Sequence, residues 1–235
     1  MMELTEVPKP GTRDYVLGIF RGAISSIPFP LLPGIAGELF SFVVTTPLEK
    51  RRDEWVVAIA EGLVQLQEKV EGLTLEGLSE DEGFVTVVLQ ATHVALRNHQ
   101  EEKLEALRNA VLNSALPGAP EDDMQIIFLG LVDTLTPWHL RILKLFDDPL
   151  EWSVKNQRRF PENWALGNAR QILELAYPEL RGQDDLRIKI LKDLSTYGLA
   201  DIPSGTATFR GMLEPRTSNF GKQFLQFITT PHQLG

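Results

Sequence analysis

Apolar residues recur every three or four positions through most of the chain, the period of helices that bury one face, while the strict alternation that marks strands is scarce. The clearest case begins at Thr46-Pro47-Leu48-Glu49, which offers a capping hydroxyl, proline at the first helical position and a glutamate three residues after the cap. From there Trp55, Ile59, Leu63, Leu66 and Val70 form one stripe that Gly72 ends, so a helix is predicted from Thr46 to about Val70. Ser79-Glu80-Asp81-Glu82 repeats the capping signal ahead of Phe84, Val87, Val88, Ala91 and Ala95. A further helix, Glu101–Leu116, places Leu104, Leu107, Val111 and Ala115 on one side before Pro117-Gly118-Ala119-Pro120 breaks the chain. Acidic Glu121-Asp122-Asp123 suits the positive end of a helix running to about Leu135 through Ile126, Ile127, Leu129, Leu131 and Val132.

The second part of the chain has a different rhythm. Thr136-Pro137 opens a short helix with Leu140, Leu143, Leu145 and Phe146 as core positions and Asp147-Asp148-Pro149 as its stop. Residues 151–163 lack a clean period and read as a loop or insertion. From Asn168 a helix is expected to end near Leu180, a turn to fall at Arg181-Gly182, and a second helix to run from Asp184 to Tyr197. Leu199–Ile202 and Leu213–Thr217 are expected to pair as a two-stranded wing around the polar loop 203–210, with a final helix over 219–228. The predicted fold class is therefore all-α: an antiparallel helical bundle followed by a winged-helix-like C-terminal domain. Its expected parts are a loose tail over 1–11, an acidic bundle over 12–134 and the winged-helix-like domain over 135–235.

Ahead of the bundle, residues 12–45 read as a hydrophobic hairpin, with helices at about 14–26 and 35–44 on either side of Pro28-Phe29-Pro30-Leu31-Leu32-Pro33-Gly34. Its longest uncharged run, Gly22–Gly37, has 16 residues, short of the roughly 20 that span a bilayer. A buried hairpin is the favoured reading; the alternative is a segment that inserts into a membrane through Phe20, Phe29, Leu31, Leu32, Phe40 and Phe42.

Charge sharpens the division. The net charge is −9, but residues 1–134 hold 10 Lys and Arg against 21 Asp and Glu, whereas the rest hold 13 against 11. Phosphate binding draws its affinity from cations, so only the second part suits nucleic acid. The absence of Cys removes thiol chemistry and disulfides. With an acidic start where a signal peptide needs a basic one, the chain is expected in a reducing cytoplasm, with membrane association only on activation.

Candidate chemistry is sparse. None of His93, His99, His139 and His232 has a partner at metal-ligand spacing, and no glycine-rich phosphate loop is present. The acidic pairs Asp122/Asp123, Asp147/Asp148 and Asp184/Asp185 sit at expected helix ends, where dipole and capping effects account for them. Lys50-Arg51-Arg52 is flanked by Glu49, Asp53 and Glu54 and reads as a solvated helix face. Arg187, Lys189 and Lys192 lie on the helix that would enter a DNA groove, and Arg210 on the wing, but Asp184, Asp185 and Asp193 share that helix and weaken the attraction to phosphate.

Several stretches carry a resemblance: Leu32-Pro33-Gly34 with Glu38-Leu39-Phe40, Pro47-Leu48-Glu49-Lys50-Arg51-Arg52 with Trp55, residues 99–110, Leu135-Thr136-Pro137-Trp138-His139-Leu140, and Thr217-Ser218-Asn219-Phe220-Gly221-Lys222-Gln223-Phe224-Leu225. They resemble uncharacterised bacterial proteins, and the layout is similar to the helical abortive-infection alpha proteins of antiviral defence. The resemblance implies a setting and no catalytic residues. The expectation is a non-enzymatic helical protein of that defence, without cofactor or evident small-molecule substrate. It would act through a protein partner, a second copy of itself, or insertion of its hairpin. The alternative is a winged-helix DNA-binding regulator.

Overall fold

The computed structural model describes residues 46–161, 166–203 and 205–234. It is mostly helical, with eleven α-helices and one two-stranded sheet among the described residues. The hairpin residues Phe20, Phe29, Leu31, Leu32, Phe40 and Phe42 lie outside the described residues, as does the expected tail. The described residues divide into two compact units, 46–130 with 228–234, and 131–227. The sequence placed the division after residue 134; here it falls between Gly130 and Leu131, and the last residues return to the first unit.

In the first unit, α1 (Thr46–Lys69) carries the expected stripe, with Trp55, Ile59, Leu63 and Leu66 all buried. Gly72, at φ 79°, turns the chain behind it. A short helix, α2 (Leu75–Glu80), follows, capped by Thr74, whose hydroxyl accepts from the Gly77 N–H. The expected cap at Ser79 is corrected to Asp81: its carboxylate accepts from the Phe84 N–H at 3.0 Å and starts α3 (Glu82–Arg97). The foreseen face of α3 (Phe84, Val87, Val88, Ala91 and Ala95) is buried. Three residues then lead into α4 (Glu101–Ser114), and α1, α3 and α4 pack against one another. The α1–α4 contact is close because Gly62 has no side chain. A Cβ there would stand 2.7 Å from Leu112 Cδ2 and 3.2 Å from Arg108 Nη2. That approach explains a mid-helix glycine that costs about 1 kcal/mol in propensity. Asn109 and Asn113 on α4 donate to the carbonyls of Ile228 and Thr229, at 3.2 and 2.7 Å.

The unit boundary falls within α5 (Asp122–Thr134). Its buried stripe runs through Phe128, Leu129, Leu131 and Val132, whereas Ile127, expected inside, is half exposed. Adjacent apolar residues on a helix point in different directions, and Phe128 took the inward position.

In the second unit, α6 (Pro137–Asp147) buries Leu140, Leu143, Leu145 and Phe146 as anticipated. The loop expected over 151–163 is corrected in part, since residues 149–155 form α7 (Pro149–Lys155). Asp148 both stops α6 and caps α7, its carboxylate accepting from the Glu151 N–H at 2.9 Å, and Pro149 occupies the first helical position. After β1 (Leu166–Gly167) comes α8 (Ala169–Ala176), which stops short of the expected Leu180. Tyr177 precedes Pro178 and is driven out of helical geometry, so 178–180 is a separate 3-10 turn. Gly182, at φ 75°, leads into α9 (Asp184–Thr196), and Gly198, at φ 69°, turns the chain after it.

The expected wing is redrawn. Its two stems meet through one antiparallel bridge, Ala200 with Thr217, flanked by Asp201 N–H to Arg216 O (3.0 Å) and Ser218 N–H to Leu199 O (2.9 Å). The intervening segment is not a free loop: β2 (Ala207–Thr208) pairs antiparallel with β1, and α10 (Phe209–Met212) follows. The last helix, α11 (Asn219–Phe227), packs on α6 and buries Phe224, Leu225 and Phe227. Its start explains the Thr217-Ser218-Asn219-Phe220-Gly221 motif. The Ser218 hydroxyl accepts from the Gly221 N–H (2.9 Å) and donates to Gly198 O (2.6 Å). Gly221 lies so close to the Leu199 carbonyl that no Cβ fits between them.

Candidate functional site

The residues singled out for nucleic-acid contact converge on α9 and α10, where the fold separates them by role. Asn168 starts α8 with a reciprocal cap: its side chain accepts from the Gln171 N–H, and Gln171 Oε1 accepts from the Asn168 N–H at 3.0 Å. One turn on, Glu174 receives Arg170 Nε at 2.7 Å and Arg187 Nη1 from α9 at 3.0 Å. Arg187 also pairs with Asp184 and donates to the Leu180 carbonyl. Its side chain is 3% exposed, so the expected DNA contact at Arg187 is corrected: the guanidinium is an internal tie between α8, the 3-10 turn and α9. The Arg170 hydrogen bond, aided by the Arg170 and Arg187 charges, holds the Glu174 carboxyl below its usual range.

On the next turn Lys189 is exposed but reaches both carboxylate oxygens of Asp193, at 2.5 and 2.7 Å. Asp193 also receives His139 from α6, Nε2 to Oδ2 at 3.3 Å. His139 is the third residue of its helix, and its Nδ1 accepts the Thr136 N–H at 3.1 Å, which puts the ring proton on Nε2 facing the carboxylate. The hydrogen bonds from Lys189 and then His139 hold the Asp193 carboxyl below its ordinary range.

Thr136, His139 and Asp193 follow the hydroxyl–imidazole–carboxylate order of nucleophilic catalysis. Here Nδ1 is engaged by the cap's backbone N–H, the ring is buried and Lys189 shares the carboxylate. The arrangement clamps α6 to α9.

Lys192 and Arg210 are exposed, as the groove reading requires. On α9 itself, the outer side that carries Lys192 also presents Asp185 and Ile188, the latter 64% exposed. Beside α6 and α8, Tyr177 lies edge-on between Trp138 and Trp152, with ring centroids 5.4 Å apart in each pair, and Trp152 stacks on Phe160. Arg141 covers Trp138 at 4.8 Å. Sequence reasoning missed this cluster, which anchors α7, although the density of aromatics within 138–177 was its signal.

The basic run Lys50-Arg51-Arg52 in the first unit also separates. Lys50 meets Glu54 (3.7 Å) and Arg52 meets Asp53 (3.8 Å) at the surface, while Arg51 turns inward and donates to the Leu96 carbonyl at 3.5 Å. Among the described residues no three His, Asp or Glu are grouped to hold a metal ion, and no single helix is long and apolar enough to cross a membrane. Comparison with protein-family models, curated proteins and solved structures found no match.

Proposed function

We propose that the chain is a non-enzymatic helical protein that works through protein-partner contacts, with the winged-helix-like second unit as a contact module. Its setting is the antiviral defence that the sequence resemblance implies. The observation that supports this reading is the state of the α9 cations. Arg187 is buried in ion pairs, Lys189 is neutralised by Asp193, and the outer side is left with exposed Ile188 between acidic and basic residues. A helix that docks on phosphates needs uncompensated cations, because its affinity comes from displaced counterions. A nearly neutral face with an apolar centre suits another protein surface.

The test has two arms. Cells producing the wild-type chain are expected to restrict phage plating, and Ile188→Asp, with an unchanged circular dichroism spectrum, to lose that restriction. In fluorescence anisotropy, a 30-base-pair duplex is expected to show no binding that weakens between 50 and 200 mM salt. Salt-steep binding lost in Lys192→Ala with Arg210→Ala would overturn the reading and establish the DNA-binding alternative. Arg187 is unsuitable for that arm, since its loss disturbs the fold.

A further inference from the structure

The first unit contains a cleft of about 270 Å³ lined by Arg51, Glu54, Trp55 and Ala58 of α1, Ala95 of α3, and Leu104, Glu105 and Arg108 of α4. We propose that it binds a small monoanion with a flat apolar body, an aromatic carboxylate in chemical class. The floor is apolar, and the small side chains of Ala58 and Ala95 leave the space open. Trp55 forms a fixed wall because its indole N–H donates to Thr92 Oγ1 at 2.9 Å, and Thr92 in turn donates to the Val88 carbonyl at 2.7 Å. Pre-formed, largely apolar walls with a few convergent polar groups are the usual make-up of small-molecule sites, and this volume lies near the lower end of their range.

The polar groups are two arginines in built positions. Arg108 lies across α1, its Nε donating to the Ala58 carbonyl at 3.1 Å and its Nη2 resting over Gly62, where only hydrogen leaves room. Arg51 is held by the Leu96 carbonyl. Each spends one donor nitrogen on a backbone carbonyl, neither meets a carboxylate within ion-pair distance among the described residues, and the remaining guanidinium donors are available to an anion.

Charge selects the class. Two arginines face two glutamates, so the lining is balanced in formal charge, and Lys50, outside the cleft, pairs with Glu54 at 3.7 Å. A carboxylate brings one negative charge that the two guanidinium groups can bracket; a phosphate dianion would bring a second against Glu54 and Glu105 and gain less.

The experiment uses the full chain and benzoate, read from the Trp55 indole N–H signal in ¹⁵N spectra. Saturable shifts at millimolar benzoate are expected, with benzamide at least tenfold weaker and phenyl phosphate no tighter than benzoate. Arg108→Met is expected to weaken benzoate at least tenfold. Arg51→Gln, on a half-exposed side chain, does the same should Arg108→Met lose its fold by circular dichroism. Absence of a saturable shift, equal binding of benzamide, or undiminished binding by a folded arginine variant would overturn the assignment. Tighter binding of phenyl phosphate would overturn the monoanion class.

Discussion

Replacing Gly221 by Ala adds one methyl group, and the fold makes it expensive. An ideal Cβ at 221 would sit 2.7 Å from Thr217 Cγ2 and closer still to the Leu199 carbonyl oxygen. Backbone cannot rotate away as a side chain can, so α11 must move off the Leu199 segment and strain the Ser218 hydrogen bonds that seat it. Overpacking of this kind costs about 1–3 kcal/mol, and contact with backbone places it at the upper end. Helix propensity returns at most about 1 kcal/mol, leaving a net loss of about 2 kcal/mol. For a unit of this size that lowers Tm by roughly 10 °C. Thermal unfolding followed by far-ultraviolet circular dichroism measures it, with Gly130→Ala as the internal contrast. Gly130 also lies in a helix but has nothing within 4 Å of its Cβ position, so the same substitution is expected to raise Tm slightly. Equal stability of Gly221→Ala and wild type would refute the close approach of α11 to Leu199.

Arg187→Met removes the cation that Glu174 and Asp184 share while keeping most of its volume; it is expected to cost about 2 kcal/mol in urea unfolding, and a neutral result would mean that the ion pairs contribute nothing. Asp193 ionises more easily folded than unfolded, so its pairing stabilises the protein above the ordinary carboxylate pKa of about 4 and is lost as pH falls through the lower folded value. Unfolding midpoints measured from pH 6 to pH 2.5 should therefore fall less steeply in Asp193→Asn, which lacks that titration, and parallel profiles would remove Asp193 from the acid response.

Where local chemistry decides, the helices were readable from residues. The Thr136-Pro137 start and the stripes of α1, α3 and α6 follow directly from capping and period. Asp148-Pro149-x-Glu151 carries the same starting signal, yet it read as a stop because the seven-residue helix it opens is too short to show a period. The segment between the wing's stems was hidden for another reason. Whether Ala207 faces solvent or pairs with Gly167 depends on a contact 40 residues away, which alternation within a dipeptide cannot encode.

The candidate sites follow the same rule. Arg187 looks like a groove reader by composition, and only packing shows Glu174 and Asp184 around it. Arg51, Trp55, Ala58 and Gly62 stand on one face of α1 by spacing alone, but the cleft also needs Ala95 and Arg108 from other helices. Nothing in the order of residues announces that meeting.

The hydrogen bonds from Asn109 and Asn113 to residues 228 and 229 also have a meaning in time. Asn113 and Thr229 are 116 residues apart, a stretch that takes about 6–23 s to synthesise at ordinary elongation rates. During that interval the second unit is produced whole, while the first has its helices but not the segment that α4 binds. The part of the protein made earlier is therefore the part completed later, because these α4 contacts close only after residues 228 and 229 have left the ribosome.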